Sequence, residues 1–401
     1  MSRRSYIILF SASLVLLLSM GMRQSFGLFQ SSISQSFGIG LSVFSLSLAI
    51  QNLIWGLAQP FVGAIADKWG SGRVIAVAGL CQFLGLLMLA NASSIWELHV
   101  SAGIIIGVAG AGTTWAVLLS VIARNVPAAR RTFFLGLGGA IGTGGQIIMA
   151  PFNQYAINQF GWVTALVIVA ATIGLIIPLA YVLRGKSEPE DGTLEHTESL
   201  WLTLDRARRH KGYLLLTAGF FVCGFQIMFI IAHLPNYLNT LGMPEWLPGT
   251  VISVIGVTNV VGTLVFGWLG DRFPKKYLLS ALYLSRSLAF AVFLLVPISV
   301  PSVLVFAFVL GFLWLATVPL TNALVGQLFG LRYLATLAGI VFASHQIGSF
   351  AAVFAGGLLF DATGSYTLIW QISIALGLLA AILHMPINES PVLAPEPQAA
   401  E

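Results

Sequence analysis

The chain alternates long apolar stretches with short polar ones along nearly its whole length. Apolar runs lie at about 6–28, 42–66, 74–92, 97–122, 133–157, 163–183, 213–239, 249–270, 277–297, 302–325, 333–360 and 365–385. A helix rises 1.5 Å per residue, so about 20 apolar residues cross the hydrocarbon core of a bilayer. The twelve runs predict twelve transmembrane helices. Barrel strands would alternate over about ten residues, and these runs do not. Only helices and closed barrels satisfy their backbone in lipid, so the expected fold is an all-α membrane protein.

The polar gaps differ in charge. Of the 19 Lys and Arg, all but Arg23 and Arg286 fall in every second gap, from Arg3 and Arg4 to Arg332. The intervening gaps carry none. This is the positive-inside bias. It predicts that both termini face the cytoplasm, in an inner or plasma membrane. The sequence pI of about 9.4 therefore reflects membrane topology and not nucleic-acid binding. A content of 57% hydrophobic and 8% charged residues excludes an ordinary soluble domain, which carries roughly 25% charged residues. The first run has no small-residue cleavage site at its end and reads as a retained helix. Cys81 and Cys223 fall within spans and read as packing residues.

The longest hydrophilic stretch, 184–212, separates six runs from six. It mixes acids with the basic run Arg206 to Lys211 and reads as a cytoplasmic linker with a short surface helix, a possible anionic-lipid contact. The expected organisation is a half at 1–183, this linker, a half at 213–388, and a disordered Pro/Ala-rich tail at 389–401. The halves repeat. Gly63-Ala-Ile-Ala-Asp67-Lys-Trp-Gly70-Ser-Gly-Arg73 follows span two, and Gly267-Trp-Leu-Gly-Asp271-Arg272-Phe follows span eight. Arg131 leads into Gln146 in span five as Arg332 leads into Gln346 in span eleven. Parallel six-helix halves are an architecture of secondary transporters, with the site at the midplane between them.

By these motifs the chain resembles the major facilitator superfamily over essentially its whole length. The resemblance implies that Asp67 and Asp271 belong to a cytoplasmic latch that closes the outward-open state. Arg73 and Arg272 lie within the motifs, and Arg130 and Arg332 are the implied partners. A carboxylate near an Arg and a helix N-terminus is stabilised by both.

Nothing reads as an enzyme, and no cofactor or metal is expected. There is no nucleotide-binding Gly-x-x-x-x-Gly-Lys-(Ser/Thr), and the Gly-rich stretches of span five suit close helix packing. Arg23 is the leading candidate. A charge inside hydrocarbon costs at least roughly 3 kcal/mol unless it meets a polar cavity or partner. It either binds an anionic substrate or snorkels to the outer surface; Gln30 lies on its face. Arg286 in span nine is either a structural hydrogen-bonded group or a ligand. His233 and Tyr237 share a stripe with Gln226 on span seven, and His345 and Gln346 lie mid-span eleven. Each His is either a satisfied core group or a proton or substrate partner. Trp314 and Asn259 are further candidate cavity residues. No Asp or Glu lies deep in any span, which favours anions.

Within the superfamily, Arg23-Gln-Ser-Phe-Gly-Leu-Phe29 resembles the span-one region of the monocarboxylate and oxalate/formate type. The resemblance also implies an Asp and an Arg in span eight, where this chain has Asn259 and Thr263. The reading is a monomeric alternating-access transporter of a small organic anion, a monocarboxylate, by proton symport or anion exchange. The alternative is a proton-coupled exporter of drugs or metabolites. A sensor would need an appended signalling domain.

Overall fold

The computed structural model describes residues 3–126, 131–184, 200–330 and 333–392, a few side chains excepted. All regular elements among them are helical: α1 Arg3–Gln24, α2 Gln30–Phe37, α3 Leu41–Trp69, α4 Ser71–Ala90, α5 Ile95–Leu98, α6 Ile106–Gly112, α7 Trp115–Asn125, α8 Arg131–Gly174 and α9 Ile176–Val182 in the first half. The linker carries α10 Leu200–Arg209. The second half holds α11 Lys211–Thr240, α12 Leu247–Gly270, α13 Lys275–Leu295, α14 Val300–Phe312, α15 Thr317–Phe329, α16 Leu334–Thr363 and α17 Thr367–His384. Among the described residues, 11 stretches are long and apolar enough to cross a membrane. One of them, Ala140–Val182, has 43 residues, about twice a bilayer crossing. It bends at Gly161, whose φ of 77° suits a residue without Cβ. Divided there, the stretches give the expected twelve crossings.

Four expected spans are not continuous, span six being interrupted at Leu175 between α8 and α9. Span one unwinds into a 3₁₀ turn at Phe26–Phe29, between α1 and α2. Span four contains a π-helical turn at His99–Ile105 and breaks at Thr113–Thr114, between α6 and α7. Span ten breaks between α14 and α15. Hydropathy is unaffected by such breaks, because the side chains on either side stay apolar.

The two halves pack by the same device. In the first, α1 lies against α8, and a Cβ on Gly145 would strike the Leu17 carbonyl. In the second, α11 lies against α16, and a Cβ on Gly348 would strike the Phe221 carbonyl. Without Cβ atoms the backbones come together closely, which replaces the hydrophobic driving force that lipid does not provide.

Between the halves, α3 meets α16 and α8 meets α12. Gln346 of α16 packs on Gly56 of α3, and Gln146 of α8 packs on Gly256 of α12, so the repeated Gln pair crosses to opposite halves. At the end away from the basic loops, Asp361 accepts the Leu41 and Ser42 amides, each at 2.8 Å. From there, hydrogen bonds between the halves run to mid-helix, where Gln346 Nε2 donates to the Asn52 carbonyl at 2.9 Å. Toward the basic end the described contacts between the halves turn to aromatic packing. The next layer that way is the edge-on contact of Trp55 with Phe342, 5.3 Å between centroids.

The linker helix α10 carries Asp205, whose carboxylate pairs with Arg208 and Arg209. The hydrogen bond from Arg208 holds that carboxyl below its ordinary range. The first residues of the stretch expected as a tail make contacts with the second half. Glu389 Oε1 accepts the Lys276 amide at 2.6 Å, and the Val392 amide donates to the Leu328 carbonyl at 2.8 Å. Unpaired amides at the start of α13 draw the acidic side chain in. Residues 393–401, the rest of that tail, lie outside the described residues.

Candidate functional site

α1 ends where its side chains offer the backbone other partners. Ser25 Oγ donates to the Gly21 carbonyl at 2.8 Å and accepts from Asn153 Nδ2 at 2.6 Å. Such local bonding competes with helical pairing. Gly27 lies so close to the Ile231 carbonyl that a Cβ there would collide. The break fixes Arg23, two residues before it, between the two halves. The Arg23 guanidinium donates to Asn52 Oδ1, lies 3.8 Å from Met228 Sδ and stacks 4.0 Å from the Trp55 ring. It is half-buried. Among the described residues no carboxylate lies within ion-pair reach. Its described partners are all neutral, and none of them compensates the charge.

From Arg23 a chain of polar contacts crosses into the second half. Asn52 accepts on its carbonyl from Gln346 Nε2. Gln346 Oε1 accepts from His345 Nδ1 at 3.0 Å. His345 stacks on Phe342, 5.5 Å between centroids at 10°, and faces Cys223. Cys223 Sγ lies 3.2 Å from Thr317 Oγ1 and 3.5 Å from Arg286 Nη1. Expected candidates Arg23, Gln346, His345 and Arg286 are thus brought into one network, joined by Asn52 and Cys223. Cys223, expected to serve only packing, is a link in it.

The end of that network is structural. Arg286 is 0% exposed. It donates from Nε and Nη2 to the Leu313 carbonyl at 3.0 and 2.6 Å, and from Nη2 to the Trp314 carbonyl. Those carbonyls are freed where span ten breaks, so all three guanidinium nitrogens are occupied. Asn259 Oδ1 accepts the Leu315 amide at 3.0 Å and is committed to the same break. The first half answers with different residues. Gln82 Oε1 accepts from Thr113 Oγ1 at 3.1 Å, and Trp55 Nε1 donates to Thr114 Oγ1 at 2.9 Å. Sequence reasoning passed over Gln82. The signal was its register: it stands fifteen residues after Asp67, as Arg286 stands after Asp271.

The span-seven stripe faces elsewhere than expected. His233 is 0% exposed, with Nε2 2.8 Å from the Val353 carbonyl and Nδ1 3.4 Å from the Tyr366 hydroxyl. A neutral ring with the proton on Nε2 satisfies both. Gln226 Nε2 donates to the Ser373 carbonyl at 3.0 Å, and Tyr237 packs edge-on against Trp370 and Phe293. This face of α11 belongs to the interior of the second half, against α17 and α13. α11 is buried nearly all round, so its polar positions do not by themselves mark the face toward the cavity. Gln30 is buried and donates to Ser45 Oγ at 2.6 Å.

Trp314 and Gln146 line one narrow apolar pocket with Ile231, Leu234, Val251 and Ile255. Trp314 Nε1 and Gln146 Nε2 are buried donors without acceptors. Of the expected latch, Arg73 and Asp271 are exposed at the ends of their helices, and Arg272 stacks 3.7 Å from the Trp268 ring. The Asp67 side chain, Arg130 and Arg332 lie outside the described residues.

Comparison with known proteins agrees with this architecture. The sequence model of the Major Facilitator Superfamily matches residues 12–353 and again 249–400. The chain is 26% identical over 379 residues, 90% of each chain, to the uncharacterized MFS-type transporter YcxA of Bacillus subtilis. It is 26% identical to monocarboxylate transporter 13 of Rattus norvegicus, covering 90% of this chain and 84% of that one. A bacterial homolog of the human lysosomal transporter Spinster, inward-facing and unoccupied, superposes with a TM-score of 0.79 at 15% identity over 96% of this chain and 97% of that one. The xylose transporter XylE from E. coli, inward open, gives 0.73 at 15% identity, covering 96% of both.

Proposed function

The chain belongs to the Major Facilitator Superfamily, whose members are multi-span membrane transporters and not enzymes, and on that footing we propose that it carries a small organic anion of the monocarboxylate class, by proton symport or anion exchange. The observation that carries this reading is the guanidinium of Arg23 between the halves, whose described partners are all neutral. In a low-dielectric site a cation without a carboxylate partner favours an incoming anion and disfavours a cation. The likeness to a monocarboxylate transporter supports the same class.

The bound anion would displace Asn52 from Arg23, taking both guanidinium edges. Asn52 is also the residue through which Gln346 ties α16 to α3. The anion site and the bond between the halves thus meet at one residue of α3, through its side-chain amide and its backbone carbonyl respectively. The bonds from Asp361 to the Leu41 and Ser42 amides close the outer end and support an inward-facing state, the basic end being the cytoplasmic one. Both termini are then cytoplasmic, and Asp67, Asp271 and their Arg partners act in the opposite state.

Thermal unfolding of the purified protein tests the binding step. Lactate, pyruvate, acetate, formate and oxalate are titrated, each against its own ionic-strength control. A ligand at 100 times its Kd stabilises the native state by about 2.7 kcal/mol. At least one anion raises the transition of the wild type, and none raises that of Arg23→Gln. Equal stabilisation of both contradicts the assignment.

A further inference from the structure

We propose that Asp361 is the outer latch of the transporter, a carboxylate on α16 that closes the outer face by capping the N-terminus of α3 in the opposite half. Both carboxylate oxygens are used, one on the Leu41 amide and one on the Ser42 amide, each at 2.8 Å. The first amides of a helix have no partner within it, and the helix dipole adds a partial positive charge there. α3 has no side-chain cap of its own; its N-cap residue is Gly40. The cap is supplied from the other half of the molecule and exists only when the outer ends meet. Opening that face leaves two amides and one carboxylate to water.

The local sequence permits this approach. A Cβ on Gly40 would come within 2.9 Å of Asp361 Cγ, inside ordinary contact, so a side chain there would push the carboxylate away. One turn below, Gly357 of α16 lies against Ser45 of α3 in the same manner. On the other outer contact, α8 with α12, the described residues place Gln154 beside Gly249 and no carboxylate. The latch is therefore one-sided, on the α3–α16 contact that also carries the Gln346–Asn52 bond. This inference is independent of which substrate is carried.

The test uses the full-length protein with spin labels at Ser36→Cys and Glu245→Cys, exposed at the outer ends of the two halves, in a Cys81→Ser background. Pulsed dipolar distances are measured in nanodiscs for the parent, Asp361→Asn and Gly40→Ala. Asn offers one acceptor in place of two and no charge. The Ala methyl blocks the carboxylate without altering it, and Gly40 has φ −64°, which Ala adopts freely. Both variants shift the distribution several-fold toward longer distances, while Asp361→Glu shifts it less than Asn does. An unchanged distribution in either folded variant overturns the latch.

Discussion

Gln82 of α4 and Arg286 of α13 stand at the same register in the two halves, and each supports the break in the adjacent broken span. Gln82 receives the Thr113 hydroxyl at 3.1 Å, and Arg286 donates to the Leu313 carbonyl at 2.6 Å. The repeat has preserved the break and changed its chemistry. Trp55 and Asn259 show the same exchange, one donating to Thr114 and the other accepting from Leu315.

Arg286 is therefore expected to act on stability. Arg286→Met leaves two buried carbonyls unsatisfied, at about 1–3 kcal/mol each. Unliganded protein should unfold at clearly lower temperature, and Arg286→Lys, which cannot fork between two carbonyls, should recover only part. A variant of wild-type stability that fails only in substrate binding would make Arg286 a ligand.

The glycine pairs should behave alike. Gly145→Ala and Gly348→Ala each press a methyl into a backbone carbonyl, and overpacking of this kind costs about 1–3 kcal/mol. Chemical denaturation in detergent measures it. Gly144→Ala, which meets nothing within 4 Å, is the control and should be near neutral.

His210 gives a pH dependence whose sign can be worked out. It precedes α11, and its Nδ1 accepts the Tyr213 amide at 3.2 Å as an N-cap. Burial against Phe329 holds its pKa below the ordinary 6.5 in the folded protein. The folded state binds the proton less readily than the unfolded chain. The cap thus contributes in full above about pH 6.5 and is lost as pH falls through the lower folded value. The protection of the Tyr213 amide against hydrogen exchange, relative to its intrinsic rate, should therefore fall as pH drops below about 6.5. His210→Asn, a cap that does not titrate, should abolish that fall.

The span pattern, the parallel repeat and the two intramembrane Arg were all legible in the sequence, because each rests on hydropathy or on charge position. The breaks at Thr113–Thr114 and after Phe312 were not. They depend on hydrogen bonds from other helices, and neither flanking stretch changes its hydropathy. For the site, Arg23, His345 and Gln346 were found by their polarity on apolar helices and do converge. The same rule brought in His233 and Tyr237, which face the interior of the second half. Polarity marks a buried side chain that needs a partner; only packing decides whether that partner is substrate or protein. Asp361 was visible as an acid near an outer helix end, but its partner is a backbone more than 300 residues away.

Uptake into liposomes of purified protein, comparing wild type with Arg23→Gln for the carboxylate panel, tests the central claim most directly. It is run with an inward proton gradient and, separately, with internal anion. Wild type should show saturable uptake of at least one monocarboxylate under one of these conditions. Loss of a charge-assisted contact of about 1.5–3 kcal/mol should lower the apparent affinity of Arg23→Gln roughly 10- to 100-fold, in protein that unfolds normally. Equal saturable uptake by both proteins would contradict the role of Arg23, and no anion uptake by folded wild type would contradict the substrate class.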